Sequence, residues 1–588
     1  MKQFITYTLA TLLGLFLFFF VGIFMFFGMV GAVATLGTDT QTALKPNSVY
    51  VMELNGVLEE RSSEDEVFFQ MLSKALDKSA ISTIGLNDLL ANIERAANEP
   101  SIKGIYLKGG TLTASYASIT ELRNALLRFK ESGKWIVAYA DTYLQSNYYL
   151  ASVADNLMMN PEGMLSWSGL YSQTTFYKDL LDKLGVEMQI VKVGTFKSAV
   201  EPYIMTELSE PNRMQIKSMI TDIWANIVND VANSRNVSID SLQRYADKSM
   251  AYYDAQEYIN AGLVDTLLYE QDVNAVLKTY NGLEEVEFVS HTAMKTLPQN
   301  TSNIQSQKVA VIYAVGSITD ESGDGIVGKD MVKTINKVRE DKSIKSVVLR
   351  VNSPGGSAFA SEQIWYALSK LKEEKPLIVS MGDYAASGGY YISCMADTIV
   401  AQPTTLTGSI GIFGMIPNSS RLMDKIGLDF DGVGTNLNSD MESRLLRGMD
   451  KEARAMMQAH VDRGYELFVK RCADGRGVTT DEIKKIAEGR VWSGEAAVEN
   501  GLVDILGGLN DALAIAAEKA NLSDYRVVEY PKQKDAITLL LEELSGEMSH
   551  IRFKNSDKTL HYLLNRWNEL QSKSYSLEAI MPMEMDVK

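Results

Sequence analysis

Short apolar runs bounded by glycine and polar residues recur along this chain, separated by longer stretches with helical spacing. Residues 49–54 (VYVMEL) run up to Gly56, and residues 309–314 (VAVIYA) run up to Gly316. Each reads as the first strand of a unit. A helical stretch ending in SIK follows in both places, then a second apolar strand at 104–107 or 346–351. Another helix precedes a third strand at 135–139 or 377–380. Strands alternating with helices predict an α/β fold with largely parallel strands. Each unit closes with a long expected helix, over 212–236 and 451–472.

The pattern occurs twice because the sequence repeats itself. Residues 148–161 read YYLASVADNLMMNP, and residues 390–403, 242 positions later, read YYISCMADTIVAQP. The same offset relates SIKGIYL (101–107) to SIKSVVL (343–349) and LDKLG (181–185) to MDKIG (423–427), while INAGLVD (259–265) echoes ENGLVD (499–504). Repetition of this length means two copies of one domain. The first strands are offset by more, which places an insertion around 62–80 in the first copy. The copies are expected over 45–297 and 309–530, joined by a polar linker at 298–308 (PQNTSNIQSQK). A helical extension over 531–588 has no counterpart, and its apolar end, 579–585 (AIMPMEM), can fold back onto the body.

Ahead of the first copy, no charged residue occurs between Lys2 and Asp39, and residues 4–36 are almost continuously apolar. A membrane-spanning helix needs roughly 20 apolar residues and a signal-peptide core only about 7–15. The run therefore predicts a transmembrane anchor over 1–40, although Ala32-Val33-Ala34 has the form of a cleavage site. Lys2 favours a cytoplasmic N-terminus, leaving the rest of the chain outside the cytoplasm.

With 588 residues, 46% hydrophobic and 22% charged, the chain has the composition of a folded multidomain protein. Its net charge of −17 argues against nucleic acid or anionic lipid as a partner. Cys394 and Cys472 form neither a disulfide framework nor a metal-site spacing, and both read as small buried side chains. No cofactor is expected.

Candidate chemistry lies where the copies differ. The second copy has Ser409 in LTGSIG, where the first has Trp167; the first has Lys197 in GTFKS, where the second has Leu437. A serine nucleophile needs a base, and His291, His460, His550 and His561 all lie outside the glycine-rich segments. That leaves lysine, which accepts a proton only when an apolar pocket lowers its pKa from about 10.4. Val193, Phe196, Ala199 and Val200 surround Lys197 in sequence and suit such a pocket. Gly355 and Gly356, in RVNSPGGS, allow a tight turn with backbone N–H groups near a helix start, an arrangement that suits an oxyanion hole. Ser387, in GDYAASGGYY, is a second candidate nucleophile or a helix-start serine. A phosphate loop is disfavoured, because no Gly-Lys-Ser/Thr is present.

The segments NSPGGS, AASGGYY, ADTIVAQP, LTGSIGIFG and GTFKSAVEPY, with the GLVD ending each copy, resemble the signal peptide peptidase A family in its long, two-domain form. The resemblance covers residues from about 49 to 530. It implies tandem Clp/crotonase-like α/β domains and a membrane-anchored serine endopeptidase that degrades signal peptides left in the membrane. It implies Ser409 as nucleophile and Lys197 as general base, a homotetramer, and a bacterial inner-membrane location with the catalytic domains on the periplasmic side. It also disfavours Ser387, because relatives that use the AAS serine have a histidine some two dozen residues downstream, where this chain has TGSIG and no histidine. Relatives orient the lysine with a serine near the DGV segment; here Gly434 and Thr435 stand there, leaving the assisting hydroxyl open. A crotonase-type acyl-CoA enzyme is disfavoured by the anchor and the split Ser/Lys pair. A non-catalytic scaffold leaves unexplained why one copy alone keeps the serine segment.

Overall fold

The structure, a computed structural model, describes residues 7, 13–14, 16–18, 20–21, 44–62, 83–282, 285–297, 307–323, 325–532 and 578–581. Most of the expected anchor, residues 63–80 of the insertion, the linker up to 306 and most of the C-terminal extension lie outside the described residues. No helix among the described residues is long and apolar enough to cross a membrane.

Two sheets carry the two copies. In the first, Ser48–Glu59, Ile102–Thr113, Trp135–Tyr143, Asn156–Leu165 and Thr266–Leu267 lie side by side in that order, all parallel. The second repeats the order with Lys308–Val315, Ile344–Ser353, Leu377–Ala386, Thr398–Ala401 and Ile505–Leu506, again all parallel. Central strands covered on both faces are near-continuously apolar rather than alternating. Val347, Val348, Leu349 and Val351 accordingly have no exposed surface.

The repeated motifs have matching structural duties. Asp155 and Asp397 accept an amide at the start of the third strand in each copy, from Ile136 and Leu377. The aspartates that end the GLVD motifs, Asp265 and Asp504, accept from Leu157 and Ile399 at 2.8 Å. Each also pairs with an arginine from the last turn of a long helix, Arg235 or Arg476. Those helices, Glu210–Arg235 and Lys451–Arg476, start at Ser209 and Asp450, whose side chains accept from the amides of Asn212 and Ala453. Such caps satisfy amides that the helix itself leaves without partners.

Both a shared core and a shared sheet join the copies. A hydrophobic core crosses between them, with Leu107, Leu126 and Tyr149 in one cluster with Val309, Val348 and Ile378. A smaller sheet also spans both copies, in the order Ile326–Val327, Ile318–Thr319, Gly355–Ser357, Glu578–Ile580, Phe413–Asn418, Glu187–Lys192.

Candidate active site

The small sheet brings the lysine of one copy to the serine of the other. Glu187–Lys192 runs antiparallel to Phe413–Asn418, with Lys192 opposite Phe413. The chain reaches Lys197 five residues after Lys192 and leaves Ser409 four residues before Phe413. In an antiparallel pair, the exit of one strand and the entry of its partner share an end. Both turns therefore meet there.

Lys197 Nζ lies 3.0 Å from Ser409 Oγ, 3.1 Å from the Ser409 carbonyl oxygen and 2.7 Å from Ser387 Oγ. All three residues have 0% of their surface exposed. The lysine turn is held by the second copy, since the Phe196 amide donates to the Glu488 carbonyl at 2.9 Å. Gly489 makes the close approach possible. Its φ is +79°, and a Cβ there would stand 2.7 Å from Lys197 N and Cβ. From the long helix, Gln215 Nε2 donates to the Phe196 carbonyl and to Ser198 Oγ, while its Oε1 accepts from the Val491 amide. Gln215 thus ties the lysine turn to the second copy. Arg490 lies over the rings of Trp492 and Phe196, at 3.9 and 5.4 Å, and burial lowers its pKa.

Both serines sit in left-handed backbone, Ser387 at φ +56° and Ser409 at φ +51°. This conformation costs an L-residue about 1–2 kcal/mol. Fixed hydrogen bonds oppose that cost: the Ser387 amide donates to the Gly408 carbonyl at 2.8 Å, and the Ser409 amide to the Arg490 carbonyl at 2.7 Å.

Ser387 is therefore not without a partner, contrary to the sequence reading. It is the hydroxyl nearest to Lys197 Nζ among the contacts described, and the question left open at Gly434 and Thr435 points to it instead. Residues 427–440 are largely exposed and Thr435 lies on the surface. The bend that turns Ser387 inward is set by its backbone conformation and by the Gly408 carbonyl, 21 residues downstream, so local sequence carries little sign of it.

The glycine pair also differs from expectation. Gly355–Ser357 forms a short strand rather than an open turn, with Gly356 opposite Ile318 on one side and Ala579 on the other. The Gly355 amide, expected as a free oxyanion donor, donates to Ser353 Oγ at 3.2 Å. Pairing on both edges explains the change, because a turn would leave those backbone groups without partners.

The mirror-related positions carry other side chains. Trp167 stands in place of Ser409, fully buried, with its Nε1 donating to the Leu242 carbonyl at 2.9 Å and its ring centroid 4.9 Å from that of Trp224. Leu437 stands in place of Lys197 and is 79% exposed. Among the described residues, no three His, Cys, Asp or Glu side chains are grouped to hold a metal ion. Both cysteines are buried.

Residues 128–284 and 369–523 match the model of peptidase family S49. The chain is similar to Protease 4 of Salmonella typhi, at 35% identity over 90% of this chain and 87% of that protein. Protease 4 of Haemophilus influenzae is 34% identical over 82% of this chain and 81% of that one. The chloroplastic serine protease SPPA of Arabidopsis thaliana is 30% identical over 87% of this chain and 76% of its own length.

Proposed function

We propose, from the premise that this chain belongs to peptidase family S49 and is a serine protease, that Ser409 is its nucleophile and Lys197 its general base. The observation that carries this reading is the 3.0 Å approach of Lys197 Nζ to Ser409 Oγ at a fully buried point. An amine removed from water is favoured in its uncharged form, the form that can accept a proton. Lys197 then takes the Ser409 proton as Oγ attacks a peptide carbonyl, and returns it to the departing amine. Water hydrolyses the resulting acyl-enzyme with the same amine as base. Ser387 Oγ, 2.7 Å from Nζ, holds the amine in direction and does not itself attack.

The proposal extends to the setting. Two Clp/crotonase-like domains, over 45–297 and 309–530, form the body, and the uncharged run within 1–40 anchors it in the bacterial inner membrane with the body on the periplasmic side. The substrates are remnant signal peptides and other hydrophobic peptides. A homotetramer is supported by the exposed apolar side chains of Phe430, Val433 and Leu437, which suit burial against another copy of the chain.

Labelling with a serine-reactive fluorophosphonate tests the assignment. Wild type should label, while Ser409→Ala, Lys197→Ala and Lys197→Arg should not, arginine being unable to give up its proton. Labelling kept by Ser409→Ala and lost in Ser387→Ala would move the nucleophile to Ser387.

A further inference from the structure

We propose that Asp383 is a positioning residue for the lysine, clamping a bulge in the strand that delivers Ser387 onto a helix of the other copy. The inference rests on the reading above of Lys197 as base with Ser387 as its support.

The strand Leu377–Ala386 ends one residue before Ser387. It pairs with Ile344–Ser353 in regular register as far as Val351 opposite Met381. The next pair is Ser353 with Ala385, so Gly382, Asp383 and Tyr384 stand against Asn352 alone. A bulge of this kind bends a strand and re-aims the side chains beyond it. Asn352 holds it from the neighbouring strand, donating through Nδ2 to Asp383 Oδ2 at 3.1 Å and accepting the Tyr384 amide at 3.1 Å. Gly382 leaves the room, since a Cβ there would collide with Glu60 Oε1.

The other oxygen of Asp383 reaches across the join. Its Oδ1 accepts from the Ser118 amide at 3.0 Å, from Ser118 Oγ at 2.6 Å and from Ser115 Oγ. Those serines open the helix Tyr116–Glu131 of the first copy, and the side chain of Ser115, at the cap position, accepts no amide of its own helix. Asp383 supplies that cap from the second copy, where first-turn amides and the helix dipole favour a carboxylate.

The first copy lacks the device. At the offset of 242, Asp141 and Gly110 stand in place of Asp383 and Asn352, and Gln145 in place of Ser387. Asp141 bonds within its own copy, accepting from Tyr139 OH and Asn160 Nδ2. The strands Ile102–Thr113 and Trp135–Tyr143 pair without a shift from Gly104 to Lys108. Bulge, cross-copy clamp and inward serine occur together in the copy that carries Ser409. Ser387 follows Asp383 by four residues, and its Oγ lies 2.7 Å from Lys197 Nζ. Ser409 is held separately, by its amide to the Arg490 carbonyl and by the pairing of Gly408 with Val491. Loss of the clamp therefore reaches the lysine through Ser387 and not through Ser409.

A double-mutant cycle on the full-length chain, read by cleavage of an apolar fluorogenic peptide, tests this. Asp383→Asn keeps the size of the side chain but replaces a carboxylate that only accepts with an amide. It should lower kcat about fivefold and leave KM within about twofold of wild type. Added to Ser387→Ala, it should lower kcat by no more than about 1.5-fold further, because the support it positions is already gone. Ser118→Ala removes one donor to Asp383 from the first copy and carries the same cycle should Asp383→Asn fail to fold. Its own loss in kcat should be about threefold, again absent in the Ser387→Ala background. Losses that multiply in these cycles would mean that Asp383 supports the whole site rather than Ser387, and would overturn the inference. Wild-type kcat in Asp383→Asn would overturn it as well. If Ser387→Ala keeps full kcat, or wild type neither labels nor cleaves, the reading beneath fails and the inference with it.

Discussion

Ser387 and Ser409 both lie within hydrogen-bonding distance of one amine, and their backbones lead into different elements. Ser409 follows Gly408 in the turn that leads into the strand Phe413–Asn418, whereas Ser387 leads into the buried helix Gly388–Ser393. Ser387→Ala should remove one support of Lys197 Nζ, worth about 1.4 kcal/mol, and lower kcat roughly tenfold with KM within about twofold of wild type. A raised KM with unchanged kcat would instead put Ser387 in contact with substrate. A second residue-scale device concerns stability. His291 Nδ1 lies 3.0 Å from Asn92 Nδ2 and 3.1 Å from Tyr50 OH, and burial lowers its pKa from the ordinary 6.5. The folded state thus takes up that proton less readily than the unfolded chain. Stability is intact above about pH 6.5 and falls as pH drops from there through the lowered value. Thermal melts at pH 8 and pH 5 should show a larger loss of Tm in wild type than in His291→Gln. Equal losses would place the acid sensitivity elsewhere.

At the scale of elements, the site depends on how closely the 488–490 segment approaches the lysine turn. Gly489→Ala places a methyl group 2.7 Å from Lys197 N and Cβ and adds left-handed strain. It should cost at least tenfold in kcat/KM while far-UV circular dichroism stays native. Gly477→Ala is the control, because Gly477 has φ +66° with nothing within 4 Å of a Cβ. It carries the strain alone and should leave kcat/KM within about twofold. Equal losses in both variants would mean that strain, not displacement of Lys197, is responsible.

At the scale of the molecule, the two copies meet over a buried ion cluster. Arg350 of the second copy pairs with Glu60 and Glu121 of the first, each at 2.7 Å, with side chains at most 4% exposed. Asn352 donates to Glu60, and Asp383 accepts from Ser118 of the first copy. Removing the arginine leaves two buried carboxylates without their cation, a loss of about 3–5 kcal/mol. Arg350→Ala should therefore destabilise strongly in chemical denaturation and lower activity with it. An apolar replacement of all three, Arg350→Met with Glu60→Leu and Glu121→Leu, should recover much of the stability. An Arg350→Ala protein as stable as wild type would show that the hydrophobic core and the shared sheet hold the copies together without the ion cluster.

The repeat made much of this architecture legible in the chain alone. Strands expected at 49–54, 104–107, 135–139, 309–314, 346–351 and 377–380 all lie within observed strands, and the helices expected at 212–236 and 451–472 match to within a few residues. Buried parallel strands and capped helices are written locally, in apolar runs and end residues. Comparing the copies also singled out Ser409 and Lys197, since each is absent from the other half. Three features were decided only by tertiary structure. The inward turn of Ser387 depends on a carbonyl 21 residues away, and the strand made by Gly355–Ser357 depends on partners at both edges. The seat of residues 578–581 depends on two strands more than 160 residues earlier in the chain. Hydrogen bonding by backbone edges is indifferent to side-chain identity, so a strand added to a distant edge leaves almost no pattern in the sequence that makes it.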